Sequence, residues 1–179
     1  LLLRLRVLVR LRRRTAAVPG LGVRASASRT DAGKPSTAVS STGPPPLAYE
    51  MVQGALVRWS EEKPQGPHPP TCVLMHGILG SRRNLSSFAK KLAEKFPSWQ
   101  FLLVDLRNHG ESNTFEVKPQ GANTVQNAAR DVLAVLNHLK IYPYTLIGHS
   151  FGGKVAMSMV HQFGRALPRP VQVWVLDTV

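Results

Sequence analysis

Ser150 lies in Gly148-His149-Ser150-Phe151-Gly152, a GxSxG pentapeptide between a β-favouring run, Tyr144-Thr145-Leu146-Ile147, and a helix-like segment. A sharp strand-to-helix turn of this kind exposes a serine hydroxyl, ready to attack a carbonyl. Gly148 and Gly152 suit the flanks, because side chains there would strike the neighbouring strand and helix, and Gly153 lets the helix approach the sheet. A serine nucleophile also needs a base, an acid that orients the base, and donors for the oxyanion. The backbone N–H of Phe151, at a helix start, is one expected donor. The second is expected from His76-Gly77-Ile78-Leu79-Gly80-Ser81, whose glycines let the Ile78 N–H turn toward the serine.

The other polar groups read as supporting ones. His149 sits inside the turn, and its side chain is expected to point away from Ser150 and to pack. His76 lines the candidate oxyanion loop and is expected to bond backbone there, while His109, in Arg107-Asn108-His109-Gly110-Glu111-Ser112, fixes its own loop. His138 and His161 fall on helices. Asp105, at a strand end, is expected to hold its loop through Arg107 or nearby backbone N–H groups rather than to act as the triad acid. Histidines and carboxylates show no HExxH or CxxC spacing, so no metal is expected; neither GxGxxG nor a P-loop occurs, so no nucleotide cofactor is expected either.

These residues need a scaffold, and the apolar pattern supplies one. Tyr49 to Trp59 alternates imperfectly, as a first antiparallel strand or hairpin would, and Pro64 to Pro70 forms a turn. Thr71 to Met75 is a short apolar run of the kind buried on both sheet faces. Leu85, Phe88, Ala89, Leu92 and Phe96 form one stripe of an amphipathic helix. Phe101 to Val104 is the next strand, and Val125 to Leu139 the next helix, with Thr124 as its N-cap. Tyr144 to Ile147, Lys154 to Phe163 and Val171 to Leu176 complete a strand, helix, strand series. Alternation of this kind predicts an α/β fold, a mostly parallel sheet with helices on both faces. Ligands bind such sheets at the carboxyl ends of the strands, where His76, Asp105, Ser150 and Asp177 all fall.

The chain has 179 residues, with 23 Lys and Arg against 10 Asp and Glu. Residues 1 to 43 hold nine of the basic residues and one acid, Asp31. Basic, acid-poor and rich in Ser and Ala, this stretch reads as an organelle transit peptide rather than a nucleic-acid surface. Leu1 to Arg14 never exceeds three consecutive apolar residues, too few for a membrane span or a secretory core. Ala25 to Pro46 is linker-like by composition. Residues 1–46 are therefore expected to be a disordered basic transit peptide and linker, and 47–179 the folded part. A chloroplast or mitochondrion is the expected destination ahead of the cytoplasm: Arg density favours the mitochondrion, the Ser-rich stretch the plastid. The one cysteine, Cys72, excludes an intramolecular disulfide and reads as a small core residue. Nothing in the sequence indicates an oligomeric state.

The segments HGILGS, DLRNHGES and GHSFGGKVAM together resemble the α/β-hydrolase superfamily, and within it the branch containing α/β-hydrolase domain-containing protein 11 and short-chain bacterial esterases. The resemblance covers about residues 47 to 179, the N-terminal half of that fold. It implies a serine hydrolase of carboxylesterase or thioesterase type acting on a small-molecule acyl ester or thioester, with Ser150 as nucleophile and Ile78 and Phe151 as oxyanion donors. It also implies a triad acid, either Asp177 or a residue one strand later, and a histidine base on a loop after the last strand. No residue here matches that histidine, and the chain starts at Leu1 and stops 29 residues after Ser150. The expectation is thus a truncated chain lacking its catalytic His and its C-terminal part. The alternative is a non-catalytic binding protein on this fold, or an inactive truncated product.

Overall fold

The computed structural model describes residues 44–60, 68–164, 167 and 171–178. The expected transit peptide, nearly all of the expected linker and much of the expected Pro64 to Pro70 turn lie outside the described residues. Five strands form one sheet: β1 (Tyr49–Gln53), β2 (Thr71–Met75), β3 (Gln100–Val104), β4 (Pro143–His149) and β5 (Gln172–Leu176). Their spatial order is β1-β3-β2-β4-β5; β1 runs antiparallel to β3, and the other pairs are parallel. Helix α1 (Arg83–Lys95) links β2 to β3, α2 (Val125–His138) links β3 to β4, and α3 (Phe151–Phe163) links β4 to β5.

Period-two alternation sorts each strand between two apolar cores. Val73, Met75, Leu102, Val104, Leu146, Val173 and Val175 face α2 and α3, meeting Ala128, Val132, Leu136, Val155 and Met159. Cys72, Leu74, Phe101 and Leu103 face α1, meeting Ala89 and Ala93. Burial at both faces explains why β2 and β3 read as unbroken apolar runs. It also holds the Cys72 thiol, 3 % exposed, in a medium hostile to thiolate, which pushes its pKa up to about 12. Thr124 caps α2, its Oγ1 accepting from the Asn127 N–H at 3.1 Å.

Two expectations need correction. The first strand ends at Gln53 rather than Trp59, because Gly54 turns out of the sheet against Pro97 and Trp99, its N–H reaching the Trp99 carbonyl at 2.9 Å. Of the expected α1 stripe, Leu85, Ala89 and Leu92 pack on the sheet, joined by Ala93, whereas Phe88 and the C-cap Phe96 are exposed. In the loop after β3, Gly110–Thr114 forms a 3₁₀ turn.

Candidate active site

The end of β4 and the start of α3 meet at Ser150, whose φ of 51° and ψ of −116° lie outside ordinary helix and strand conformations. A non-glycine residue held there is strained, and such strain gathers at functional sites. Close packing enforces it. A Cβ on Gly148 would overlap the Gly152 carbonyl group, and one on Gly152 would overlap the carbonyl oxygens of Met75 and His76, so only glycine permits this crossing of helix over strand. The end of β5 braces the turn from the other side. Ser150 N–H donates to the Leu176 carbonyl at 2.8 Å, and the Ser150 carbonyl accepts from the Thr178 hydroxyl at 2.9 Å. Asp177 sits between those two contacts, exposed and at φ 48°, beside the serine turn.

The loop after β2 crosses directly over this turn. A Cβ on Gly77 would stand 3.0 Å from His149 Nδ1 and 3.2 Å from Ser150 Cβ, so residue 77 must be small for the loop to approach the serine. Ile78 and Leu79 follow, 66 % and 95 % exposed, with Leu79 at φ 60°. A cavity of about 260 Å³ opens beside them, lined among others by His76, Leu79, Asn84, Leu85 and His149. Ser150 and Phe151 border this loop but lie outside the cavity lining. Phe151 occupies the first position of α3, where helix N–H groups carry partial positive charge.

His76 is 1 % exposed and has one tautomer open to it. Leu106 N–H donates to its Nε2 at 3.0 Å, so Nε2 is unprotonated, and Nδ1 must carry the hydrogen that reaches the Gly77 carbonyl at 2.7 Å. Burial lowers its pKa, and the nearby His109 ring, centroids 5.1 Å apart, adds to that. Folding thus favours neutral His76, whereas the unfolded residue takes up a proton near pH 6.5. Stability should be fully present above that pH and decline as pH falls toward the lower folded value. A urea midpoint lower at pH 5 than at pH 7.5, with a shallower fall in His76→Asn, would show this; equal slopes would refute it.

His109 donates from Nδ1 to the Arg107 carbonyl at 2.8 Å, fixing its own loop, and its ring stacks on Phe151 with centroids 6.4 Å apart. His138 and His161 lie on α2 and α3. His149 departs from expectation. Its side chain is exposed and faces the 77–80 loop instead of packing inward, because Gly77 leaves room for it. Asp105 holds its loop through backbone N–H groups, one of the two expected alternatives: those of Arg82 and Glu111, and its ion-pair partner is Arg82 rather than Arg107. Arg107 turns instead to Asp131 on α2, through Nε at 2.6 Å and Nη2 at 2.9 Å. Arg82 and Asn84 escaped the sequence reading, since nothing local distinguishes them; Asn84 Oδ1 accepts the Ser81 N–H at 2.7 Å. No group of three His, Cys, Asp or Glu capable of holding a metal occurs among the described residues. No helix there is long and apolar enough to cross a membrane.

Residues 70–179 match the family model for the alpha/beta hydrolase fold. The chain is 35 % identical over 127 residues to the sn-1-specific diacylglycerol lipase ABHD11 of Xenopus tropicalis, covering 71 % of this chain and 34 % of that one. It is 36 % identical over 97 residues to a 2-succinyl-6-hydroxy-2,4-cyclohexadiene-1-carboxylate synthase of Klebsiella pneumoniae, covering 54 % and 34 %. Among solved structures, a marine microorganism esterase superposes with a TM-score of 0.52 at 24 % identity, over 72 % of this chain and 40 % of that one, a likeness of fold. The chain thus spans about a third of the length of the curated relatives it matches. The mostly parallel sheet with helices on both faces agrees with that match, and the chain belongs to the α/β-hydrolase fold family.

Proposed function

We propose that this chain carries the nucleophile and oxyanion half of a serine ester hydrolase. The observation that carries the reading is the Ser150 backbone, held at φ 51° between β4 and α3 by glycine contacts and by the end of β5. In the proposed reaction Ser150 Oγ attacks an acyl carbonyl as a base removes its proton. The carbonyl oxygen becomes an oxyanion received by the N–H groups of Ile78 and Phe151, and collapse expels the alcohol or thiol to leave an acyl-enzyme. Water then releases the acid. Asp177, beside the turn, is the candidate triad acid, and a histidine of the longer protein is the proposed base, since His76 is committed to backbone on both nitrogens.

Exposed Ile78 and Leu79 beside the cavity suit an apolar acyl chain, and the diacylglycerol lipase name of the Xenopus relative supports an acylglycerol ester as the substrate class. The test is covalent labelling. A fluorophosphonate should modify the longer gene product at Ser150, with no labelling in Ser150→Ala. Labelling that survives the substitution would sink the proposal.

A further inference from the structure

Residues 77–81 form a loop with little burial of its own, yet its proposed task is to aim one N–H group. Two short contacts order it internally: Gly80 N–H to the Gly77 carbonyl at 3.1 Å, and Ser81 N–H to Asn84 Oδ1. Its outer apolar residues face solvent and add nothing. What remains are its two ends, and both stand on the segment after β3. At the first end His76 Nε2 takes the Leu106 N–H. At the second, Arg82 meets Asp105, a carboxylate with no solvent exposure.

We propose that Arg82 and Asp105 are positioning residues whose part-buried pair holds the loop over Ser150 and so fixes the direction of the Ile78 N–H. The geometry is specific. Asp105 Oδ1 accepts the Arg82 N–H at 2.6 Å, Oδ2 accepts the Glu111 N–H at 2.8 Å, and the Arg82 guanidinium closes on Oδ2. The same guanidinium reaches Glu111 Oε2 at 2.6 Å. One planar cation spanning two carboxylates needs donors on separate nitrogens, which arginine has and lysine lacks. Gly110, at φ 49°, wraps against the carboxylate where a Cβ would collide with it. Both oxygens of Asp105 are thus engaged in holding this junction. The pair touches neither the serine nor the substrate cavity, so its influence on acylation passes through the loop.

The inference rests on the oxyanion role given above to Ile78, and its test separates the two. In Asp105→Asn, which keeps the side-chain volume, amide exchange at Gly80 and Ser81 is expected to quicken at least about tenfold, with β2 and α3 amides unchanged. Neither amide bonds to Asp105, so the change reports loop order rather than the lost contact. Ser150 labelling should slow by roughly 10-fold to 100-fold at an unchanged half-saturating probe concentration. Glu111 is solvent-exposed, so Glu111→Gln cannot unfold the chain through burial; it releases only the outer contact and should move both readouts the same way, by about two- to threefold. Loop amides that keep their rates, or that quicken in step with β2 and α3 in both variants, overturn the positioning role. Wild-type protein that does not label at all refutes the hydrolase reading alone, because the exchange arm still decides this one.

Discussion

Ser150→Gly is expected to abolish acylation and, in the same molecule, to make the fold more stable. Loss of the nucleophile alone removes on the order of a millionfold in turnover from a complete serine hydrolase. The stability gain comes from the backbone. The values φ 51° and ψ −116° are those of the first central residue of a type II′ turn, a position glycine dominates because a Cβ there crowds the chain. Releasing such strain is worth about 1–3 kcal/mol, and the freer unfolded glycine returns about 0.5–1 kcal/mol of it. A net gain near 1 kcal/mol should raise the thermal midpoint by a few degrees. Ser150→Ala supplies the control, for it loses the hydroxyl and keeps the strain. Calorimetry showing the glycine variant no more stable than the alanine variant would mean that the turn is relaxed, and the strongest sign of function at this position would be gone.

The second large effect belongs to a residue away from the serine. Arg107, 4 % exposed, binds both oxygens of Asp131 and also donates to the carbonyls of Gln120 at 3.2 Å, Gly121 at 3.4 Å and Ala122 at 2.7 Å. It thus fastens the loop between β3 and α2 to the helix that follows. Arg107→Met should cost about 3–5 kcal/mol, because it strands a buried carboxylate and leaves three carbonyls without their donor. That is a large share of the roughly 5–15 kcal/mol that holds a domain together. Burial already pushes the Asp131 carboxyl up, with Arg107 opposing the shift. Without the guanidinium the carboxyl moves further up and takes a proton in the folded state at a pH where the unfolded chain does not. The variant's deficit should therefore shrink as pH falls from 8 to 5, measured by denaturant midpoints at each pH. A deficit that does not change with pH would mean that Asp131 is not the group left uncompensated.

Most of the scaffold was legible because burial on both faces of a strand, or one face of a helix, writes itself into residue type. Thr71 to Met75 and Phe101 to Val104 show it as unbroken apolar runs, and Thr124 shows its cap through its hydroxyl. The serine turn was legible for a related reason, since Gly148 and Gly152 are required by backbone crowding that no other residue tolerates. Pairings between distant segments were not. Asp105 finds Arg82, 23 positions earlier, rather than Arg107, two positions later, because the ends of β2 and β3 lie side by side while Arg107 points toward α2. Phe88 and Phe96 fit the same helical stripe as Leu85, Ala89 and Leu92, yet they lie at its margin and stay exposed, which periodicity alone does not reveal. The place of His149 was not legible either, because the space that admits its ring is made by Gly77, in the loop after β2.

The apolar seat of Cys72 has a practical consequence. It is the only thiol in the chain, it lies beneath α1, and at neutral pH it carries no thiolate to react. Alkylating dyes should pass over the native molecule and stain only those copies in which α1 has parted from the sheet. The protein therefore contains its own counter of opening events, one signal per molecule, with which each variant described above can be ranked without introducing a foreign probe.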